Sequence, residues 1–259
     1  MRQLLSTLIA GAIALLLLSS LAFAEDIQIG LSEERIAITS SFDGQNIVLF
    51  GTIEGGQEEA LQNGRYDIAV IVEGPESDVV IRRKERSVGI WVNGASRSYE
   101  RVPSFYSMAT NRPLAEIAEP GVLKELGLGY DNLKIEPIGK STNISDEDAK
   151  FRNSLGRLKA AQGLAPSRPE GVKFLRPTLF RARLAVPANV PIGRHTARAY
   201  LFRSGEFIAK KSARLVVRKT GFEQWAYNFA HKQSFLHGIL AVLVAIATGW
   251  LASVVFRKD

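Results

Sequence analysis

Two long apolar stretches stand near the ends of the chain, and a region of alternating apolar and polar residues lies between them. The C-terminal stretch, Phe235 to Phe256, carries no charged residue from Gly238 onward. Its 22 residues match the thickness of a bilayer core at a rise of about 1.5 Å per residue. The pattern predicts a transmembrane helix over 235–256, with a juxtamembrane segment over 221–234 and a short tail over 257–259.

The N-terminal apolar stretch, Leu4 to Ala24, has the layout of a secretory signal peptide. Arg2 provides a basic start, and Ala22-Phe23-Ala24 provides a small-x-small cleavage site. We therefore expect a signal peptide over 1–24 and a mature chain that begins at Glu25. The alternative is an uncleaved anchor, because a stretch of this length can also span a membrane.

The first half of the region between the apolar stretches predicts short β-strands. Residues 35–42 and 46–53 alternate between apolar and polar side chains, and Asp43-Gly44 between them is a strong signal for a hairpin turn. Three further strands, each bounded by Gly, Pro, Asn or Ser, are predicted over 66–72, 79–82 and 89–92. Short strands with closely spaced turn signals indicate a β-sandwich.

The pattern becomes helical or irregular between residues 113 and 165. Residues 113–119 predict a short helix. Ser145 is a suitable N-cap for a second helix, whose first residues, Asp146-Glu147-Asp148, favour the positive end of the helix dipole. We interpret residues 113–165 as a helical insertion packed on the sandwich, because the segment is short and weakly apolar.

Strands resume at about Val172, and residues 180–186 alternate between apolar side chains and arginines. Two more strands are predicted over 196–202 and 208–217, joined through Ser204-Gly205. This ending resembles the last three strands of immunoglobulin-like sandwiches. The predicted fold class is therefore mainly β. It comprises an immunoglobulin-like β-sandwich over 25–220 with a helical insertion, and a single C-terminal transmembrane helix.

The flanks of the C-terminal stretch predict its orientation. Arg257 and Lys258 follow it at once, so the positive-inside rule places the tail in the cytoplasm and the bulk of the chain in the periplasm, at the inner membrane. Four aromatic residues before the span are typical of an interfacial belt, although some of these rings could instead pack under the sandwich. They are Phe222, Trp225, Tyr227 and Phe229.

Charge is divided unevenly between the two halves of the domain. Residues 25–139 hold 11 basic and 19 acidic residues, a net charge of −8, whereas residues 140–220 hold 18 and 5, a net charge of +13. Five arginines fall at alternating strand positions, so several of them are expected to share one sheet face. They are Arg181, Arg183, Arg198, Arg214 and Arg218. Such a face could meet anionic lipid, an acidic partner or the acidic half of the domain, or it could simply be solvated.

The sequence carries few signals of chemistry. It contains none of the glycine, serine or histidine motifs of phosphate loops, hydrolases or zinc proteases, and it has no cysteine. His231 and His237 are six residues apart and do not share a helix face, so a metal pair is not expected. We therefore predict a protein that is not an enzyme, uses no cofactor or metal, and does not bind nucleic acid.

One basic run stands out in the acidic half: Arg82-Arg83-Lys84-Glu85-Arg86, followed closely by Gly89-Ile90-Trp91-Val92-Asn93. With residues 103–106, 109–114, 189–193 and 249–251, these stretches resemble a family of putative transmembrane proteins described from alphaproteobacteria. The resemblance covers nearly the whole mature chain. It implies a signal peptide, a periplasmic domain and one C-terminal helix, and it implies no reaction.

Two hypotheses for function follow. The first is an accessory subunit of a membrane complex, whose partner is a multi-span membrane protein such as a transporter. Its exterior contacts would be Arg82, Arg83, Lys84, Arg86, Trp91 and Asn93. In the bilayer, small residues at every fourth position would let another helix approach, namely Ala241, Ala245, Gly249 and Ser253. The alternative is a domain that binds or senses a small anion through arginines together with Trp91, Asn93 and Tyr106.

Overall fold

A computed structural model of the protein describes residues 25–56, 58–138, 146–220 and 229–255. The strands are β1 (Asp26–Leu31), β2 (Arg35–Ile38), β3 (Gly44–Glu54), β4 (Tyr66–Glu73), β5 (Glu76–Ser87), β6 (Ile90–Pro103), β7 (Tyr106–Thr110), β8 (Glu136–Pro137), β9 (Ser167–Arg168), β10 (Val172–Phe174), β11 (Leu179–Pro187), β12 (Gly193–Arg203) and β13 (Glu206–Lys219). The helices are α1 (Glu58–Gln62), α2 (Leu114–Ile117), α3 (Pro120–Leu126), α4 (Asp146–Ala161) and α5 (Ser234–Val255), with a 3-10 turn at Tyr130–Asn132. The predicted signal peptide, the Ser145 cap, the 257–259 tail and three of the belt aromatics (Phe222, Trp225 and Tyr227) lie outside the described residues.

Two sheets pack face to face. Strands β1, β3, β11 and β10 form one sheet in that order, and β2, β13, β12, β4, β7 and β9 form the other. The core between them consists of apolar side chains such as Leu49, Val70, Leu184 and Leu201. The spatial order of the strands in these two sheets is compatible with the immunoglobulin-like arrangement. The mainly-β prediction is confirmed.

Alternation of buried and exposed residues in β3 explains why it forms one layer of the sandwich. Ile47, Leu49, Gly51 and Ile53 are buried, and the residues between them are half-buried or exposed. A side chain at position 51 would place its Cβ 2.3 Å from Cζ of Phe180 and 2.6 Å from the carbonyl oxygen of Gln28. Glycine at this position therefore lets the Phe180 ring lie across the strand.

The hairpin predicted around Asp43-Gly44 is wrong. Strand β2 pairs in parallel with β13, with Ile36 opposite Val217, whereas β3 lies in the other sheet between β1 and β11. Ile36 and Ile47 are both buried in the core between the sheets, so the two strands approach that core from opposite layers. Asp43-Gly44 does separate two strands, but the chain crosses from one sheet to the other there.

A second layer covers part of the outer face of the six-stranded sheet, over β4, β7 and the turn between β12 and β13. Strands β5, β6 and β8 form a separate three-stranded sheet, which packs with α2, α3 and α4 around a second apolar core. This core includes Ile71, Tyr99, Phe151 and Phe202. The short strands predicted over 79–82 and 89–92 are therefore parts of one long hairpin outside the sandwich. Val79 and Ile81 of the first strand pack in the second core, whereas Ile90 and Trp91 of the second strand are exposed.

An ion pair links the start of β4 to the residues that follow β7. Asp67 is 2 % exposed, and its carboxylate accepts hydrogen bonds from Nε of Arg112 at 2.6 Å and from Nδ2 of Asn111 at 2.8 Å. The Asn111 side-chain oxygen in turn accepts a hydrogen bond from the backbone N–H of Ile68 at 2.8 Å. The Asn111-Arg112 stretch that contributes to the family resemblance is thus accounted for by folding.

We predict that Arg112→Met lowers the free energy of unfolding by roughly 3 kcal/mol, because it leaves the Asp67 carboxylate buried without its cation. This loss is at the lower end of the range for removing one partner of a buried ion pair, since the Arg112 side chain is 43 % exposed. Denaturant unfolding of the full-length protein in micelles would measure the change. Arg183→Met, on the exposed side of β11, is the control and should change stability by less than about 0.5 kcal/mol. Equal losses in both variants would contradict the assignment.

Candidate functional site

The basic run lies on a strand of a long hairpin. Residues 82–86 belong to β5, and the hairpin reverses at Val88-Gly89, where both residues have positive φ values of 50° and 85°. Strands β5 and β6 pair from Glu76 opposite Pro103 up to Ser87 opposite Ile90. We call the outer part of this hairpin, residues 84–93, the arm tip.

The register places four of the six predicted contact residues on one side of the arm tip. Lys84 pairs with Asn93 and Arg86 pairs with Trp91, and directly paired residues project to the same face of a two-stranded ribbon. All four residues are exposed. We call Lys84, Arg86, Trp91 and Asn93 the arm face. Among the described residues, neither Lys84 nor Arg86 forms an ion pair.

The arm tip also exposes large apolar side chains. Val88 is 100 % exposed, Trp91 is 67 % exposed and Ile90 is 65 % exposed. Exposed apolar side chains that cluster, rather than occurring singly, are typical of protein or membrane contact surfaces. The arm tip therefore combines an indole ring, aliphatic side chains and two cations that have no ion pair within the described part of the chain.

The remaining two predicted residues, Arg82 and Arg83, line a different surface. They border a groove of about 550 Å³ between β5 and α4, whose apolar side chains include Ile81, Phe151 and Leu158. Arg83 forms ion pairs with Glu85 at 2.8 Å and with Glu147 of α4 at 3.3 Å. The structure therefore does not combine all six predicted residues into one site.

Polar contacts fix the base of the arm against α4. Nε of Arg97 donates to Asp148 at 2.6 Å, and the guanidinium carbon lies 5.6 Å from the ring centre of Phe151. The Tyr99 hydroxyl donates to the Asp148 carbonyl oxygen at 3.2 Å. The hydrogen bond with Asp148 raises the pKa of Arg97, so this cation is permanent. These contacts hold the lower arm, whereas the side chains of the arm face are exposed.

The trio proposed for anion binding is not assembled. Tyr106 is buried in the second core, where its hydroxyl oxygen accepts a hydrogen bond from the backbone N–H of Gly129 at 2.9 Å, and burial raises its pKa. Trp91 lies on the order of 40 Å away along β6, at about 3.3 Å per residue. An anion site built from Trp91, Asn93 and Tyr106 is therefore excluded.

A polar cavity lies elsewhere, between the six-stranded sheet and α3. Its volume is about 370 Å³. Its basic side chains are Arg101, Lys134, Arg198 and Lys210, and its acidic side chains are Glu73, Glu76 and Glu125. Glu73 forms an ion pair with Arg198. Sequence reasoning missed this cavity because its residues come from six separate segments, although the basic surplus after residue 140 pointed to some of them.

The arginines of the late strands are divided between the two sheets. Arg198, Arg214 and Arg218 lie on β12 and β13 in the six-stranded sheet. Arg181 and Arg183 lie on β11 in the four-stranded sheet. The expectation that several of the five share a face is therefore confirmed for Arg198, Arg214 and Arg218. The two sheets present opposite outer surfaces, and period-two alternation within a strand cannot show which sheet the strand joins.

No group of histidine and acidic side chains suited to a metal ion occurs among the described residues. His195 is 1 % exposed, and its Nδ1 lies 3.3 Å from the Gly193 carbonyl oxygen, to which it donates in the neutral ring. Burial lowers the pKa of His195. His237 stacks edge-on against Phe229 with ring centres 5.9 Å apart.

Helix α5 has the length and composition needed to cross a membrane. Residues Ser234–Ser253 form a candidate span, and no other helix among the described residues meets the same criteria. The span includes all four small residues of the predicted packing stripe, Ala241, Ala245, Gly249 and Ser253, and each is exposed. A Cβ at Gly249 would meet nothing within 4 Å, and the other described side chains of the helix from Phe235 to Ser253 are exposed as well.

A mainly β domain followed by a C-terminal candidate span defines the chain as a membrane protein. Comparison with protein families agrees: a family model described as putative transmembrane protein (Alph_Pro_TM) matches residues 26–258. The chain belongs to this family. A comparison with curated proteins found no match.

Proposed function

We propose that the protein is a non-catalytic accessory subunit of a membrane complex, and that the arm tip is its exterior contact. The observation that carries the proposal is the arm face, where a 67 % exposed Trp91 lies beside cations without acidic partners. Tryptophan and arginine dominate the energetics of protein interfaces, because both combine a large contact area with a polar group. A two-stranded arm held at its base presents these residues away from the rest of the domain.

The small-residue stripe of α5 supports a second contact within the bilayer. Apolar side chains gain little by leaving lipid, so helices associate in membranes where small residues permit close backbone approach. The stripe of Ala241, Ala245, Gly249 and Ser253 meets this requirement. A multi-span partner such as a transporter would satisfy both contacts, since it offers helices in the bilayer and loops outside it.

The proposal includes a specific topology. It assigns residues 1–24 to a cleaved signal peptide, residues 25–220 to the periplasm, the span to the inner membrane, and residues 257–259 to the cytoplasm. Support comes from the Ala22-Phe23-Ala24 ending and from the two basic residues after the span.

A second candidate function is small-anion binding in the polar cavity. Arg101, Lys134, Arg198 and Lys210 converge there, and guanidinium donors match the geometry of oxyanions. Three carboxylates line the same cavity, so the basic groups exceed the acidic groups by only one. This near balance ranks anion binding below the accessory role.

For the topology, we expect a single cysteine at Ser87 to react with a membrane-impermeant maleimide in spheroplasts, and a single cysteine at Lys258 to react only after lysis. The natural chain has no cysteine, so each label is unique. N-terminal sequencing of the purified protein should give Glu25 as the first residue. The opposite labelling pattern, or a retained N-terminal segment, would overturn this part of the proposal.

For the accessory role, photoreactive residues at Trp91 and at Gly249 are expected to capture the same multi-span protein in intact membranes. A photoreactive residue at Lys173, exposed on β10, is the matched control and should capture nothing in common with them. Mass spectrometry of the captured products identifies the partner. Self-crosslinks or lipid alone at both sites would refute the accessory role.

Paired variants should separate the two contacts. Ala245→Leu with Gly249→Leu fills the small-residue stripe and should lower capture from Trp91 at least about tenfold, because close helix approach is lost. Val244→Leu lies off the stripe and should leave capture unchanged. An unchanged yield in the double variant would remove α5 from the proposed interface.

For anion binding, titration calorimetry of the full-length protein in micelles should show heat with sulfate, sulfite or phosphate. Lys134→Met with Lys210→Met should weaken that binding about tenfold or more, because two charge-assisted contacts are removed. Lys173→Met outside the cavity is the control. Absence of heat with all three anions would reject this candidate.

A further inference from the structure

Basic side chains are concentrated on the outer face of three adjacent strands of the six-stranded sheet. In β13, Leu215 and Val217 are buried in the sandwich core, so Arg214, Val216 and Arg218 project from the opposite face. Alternation along β13, together with its register with β2 and β12, places five further residues on that face, because cross-strand partners project to the same side. They are Arg35 of β2, Arg194, Thr196 and Arg198 of β12, and Lys210 of β13. We call the six basic residues of this set the basic face.

The basic face is exposed and only slightly neutralised. Arg198 forms an ion pair with Glu73 of β4, which the register places opposite Thr196. The other five basic residues are exposed, and none has an ion pair among the described residues. Neighbouring strands are about 4.8 Å apart, and alternate residues along a strand are about 6.7 Å apart. The cations therefore form a dense array whose mutual repulsion would be relieved by bound anions.

Chain connectivity ties the basic face to the bilayer. Strand β13 ends at Lys219, immediately after Arg218, and α5 begins at Ser234. A fully extended chain over this interval spans at most roughly 50 Å, so headgroups at the end of the span are always within reach of the domain. Tethering raises the effective concentration of those headgroups, whereas a diffusing acidic partner has no such advantage.

We propose that the basic face docks on anionic phospholipid headgroups of the membrane that holds α5. Guanidinium groups bind phosphate with paired N–H donors, and a grid of arginines suits a surface with many phosphates. The domain's own acidic residues serve only one edge of the face, where Glu73, Glu76 and Glu125 line the cavity beside Arg198 and Lys210. Among the described residues, the other four basic residues of the face form no ion pair. Docking would orient the sandwich and so set the direction in which the arm tip points. The proposal does not depend on the identity of a protein partner.

The test uses the full-length protein in nanodiscs, with one fluorophore on a cysteine at Ser212, which pairs with Arg198 on the basic face. In discs of phosphatidylcholine with phosphatidylglycerol, quenching by an aqueous quencher should fall several-fold relative to discs of phosphatidylcholine alone. High salt should restore it, because the contact is electrostatic. A fluorophore at Lys173 on the other sheet is the control and should be quenched equally in both discs.

Charge variants decide whether the face itself is responsible. Arg194→Glu with Arg214→Glu and Arg218→Glu should abolish the protection, and replacement of the same three residues by lysine should retain most of it. All three side chains are exposed, so an unchanged unfolding midpoint would verify that the variants fold. Equal quenching in both discs would overturn the proposal, as would protection that survives charge reversal. Protection only in native membranes, and not in phosphatidylglycerol discs, would also overturn it in favour of an acidic protein.

Discussion

The fold depends on the burial of β4 on both of its faces. Ile68, Val70 and Val72 contact the core between the two sheets, whereas Ala69 and Ile71 contact the second core under the helices. A strand with no face toward water must be covered by two layers, and its near-continuous apolar sequence reflects that requirement. The helical layer and the arm are therefore integral to the domain, since removing them would expose β4 and β12 to solvent.

Local patterns in the sequence predicted the elements well and their partners poorly. Period-two alternation located β3, β11, β12 and β13, and the Ser204-Gly205 signal predicted the turn that joins the last two. The pairing of Arg35–Ile38 with the end of β13 joins residues about 180 positions apart. Neither segment by itself indicates that the two strands pair, because pairing depends on which apolar core each strand can reach. The Asp43-Gly44 signal could therefore be read as a hairpin although the chain changes sheets there.

The same distinction applies to the candidate sites. The arm face lies within ten residues of sequence, so the basic run and Trp91 could be recognised together before the structure was known. The polar cavity and the basic face each require several strands in a defined register. Arg35 and Arg194, for example, lie on either side of Val216 in the sheet but are far apart in the sequence. The exclusion of Tyr106 has the same origin, since its burial depends on Gly129 and the helical layer.

The position of β13 in its sheet has a mechanical consequence. The strand that leads to the membrane anchor is flanked on one side by β2, in parallel, and on the other by β12, antiparallel. A pull from the anchor along β13 would act parallel to the strand and across both hydrogen-bond ladders at once. Ladders loaded in shear share the force among many bonds, whereas ladders peeled from one end break them one at a time. The domain is thus attached to its anchor through a strand well placed to bear tension.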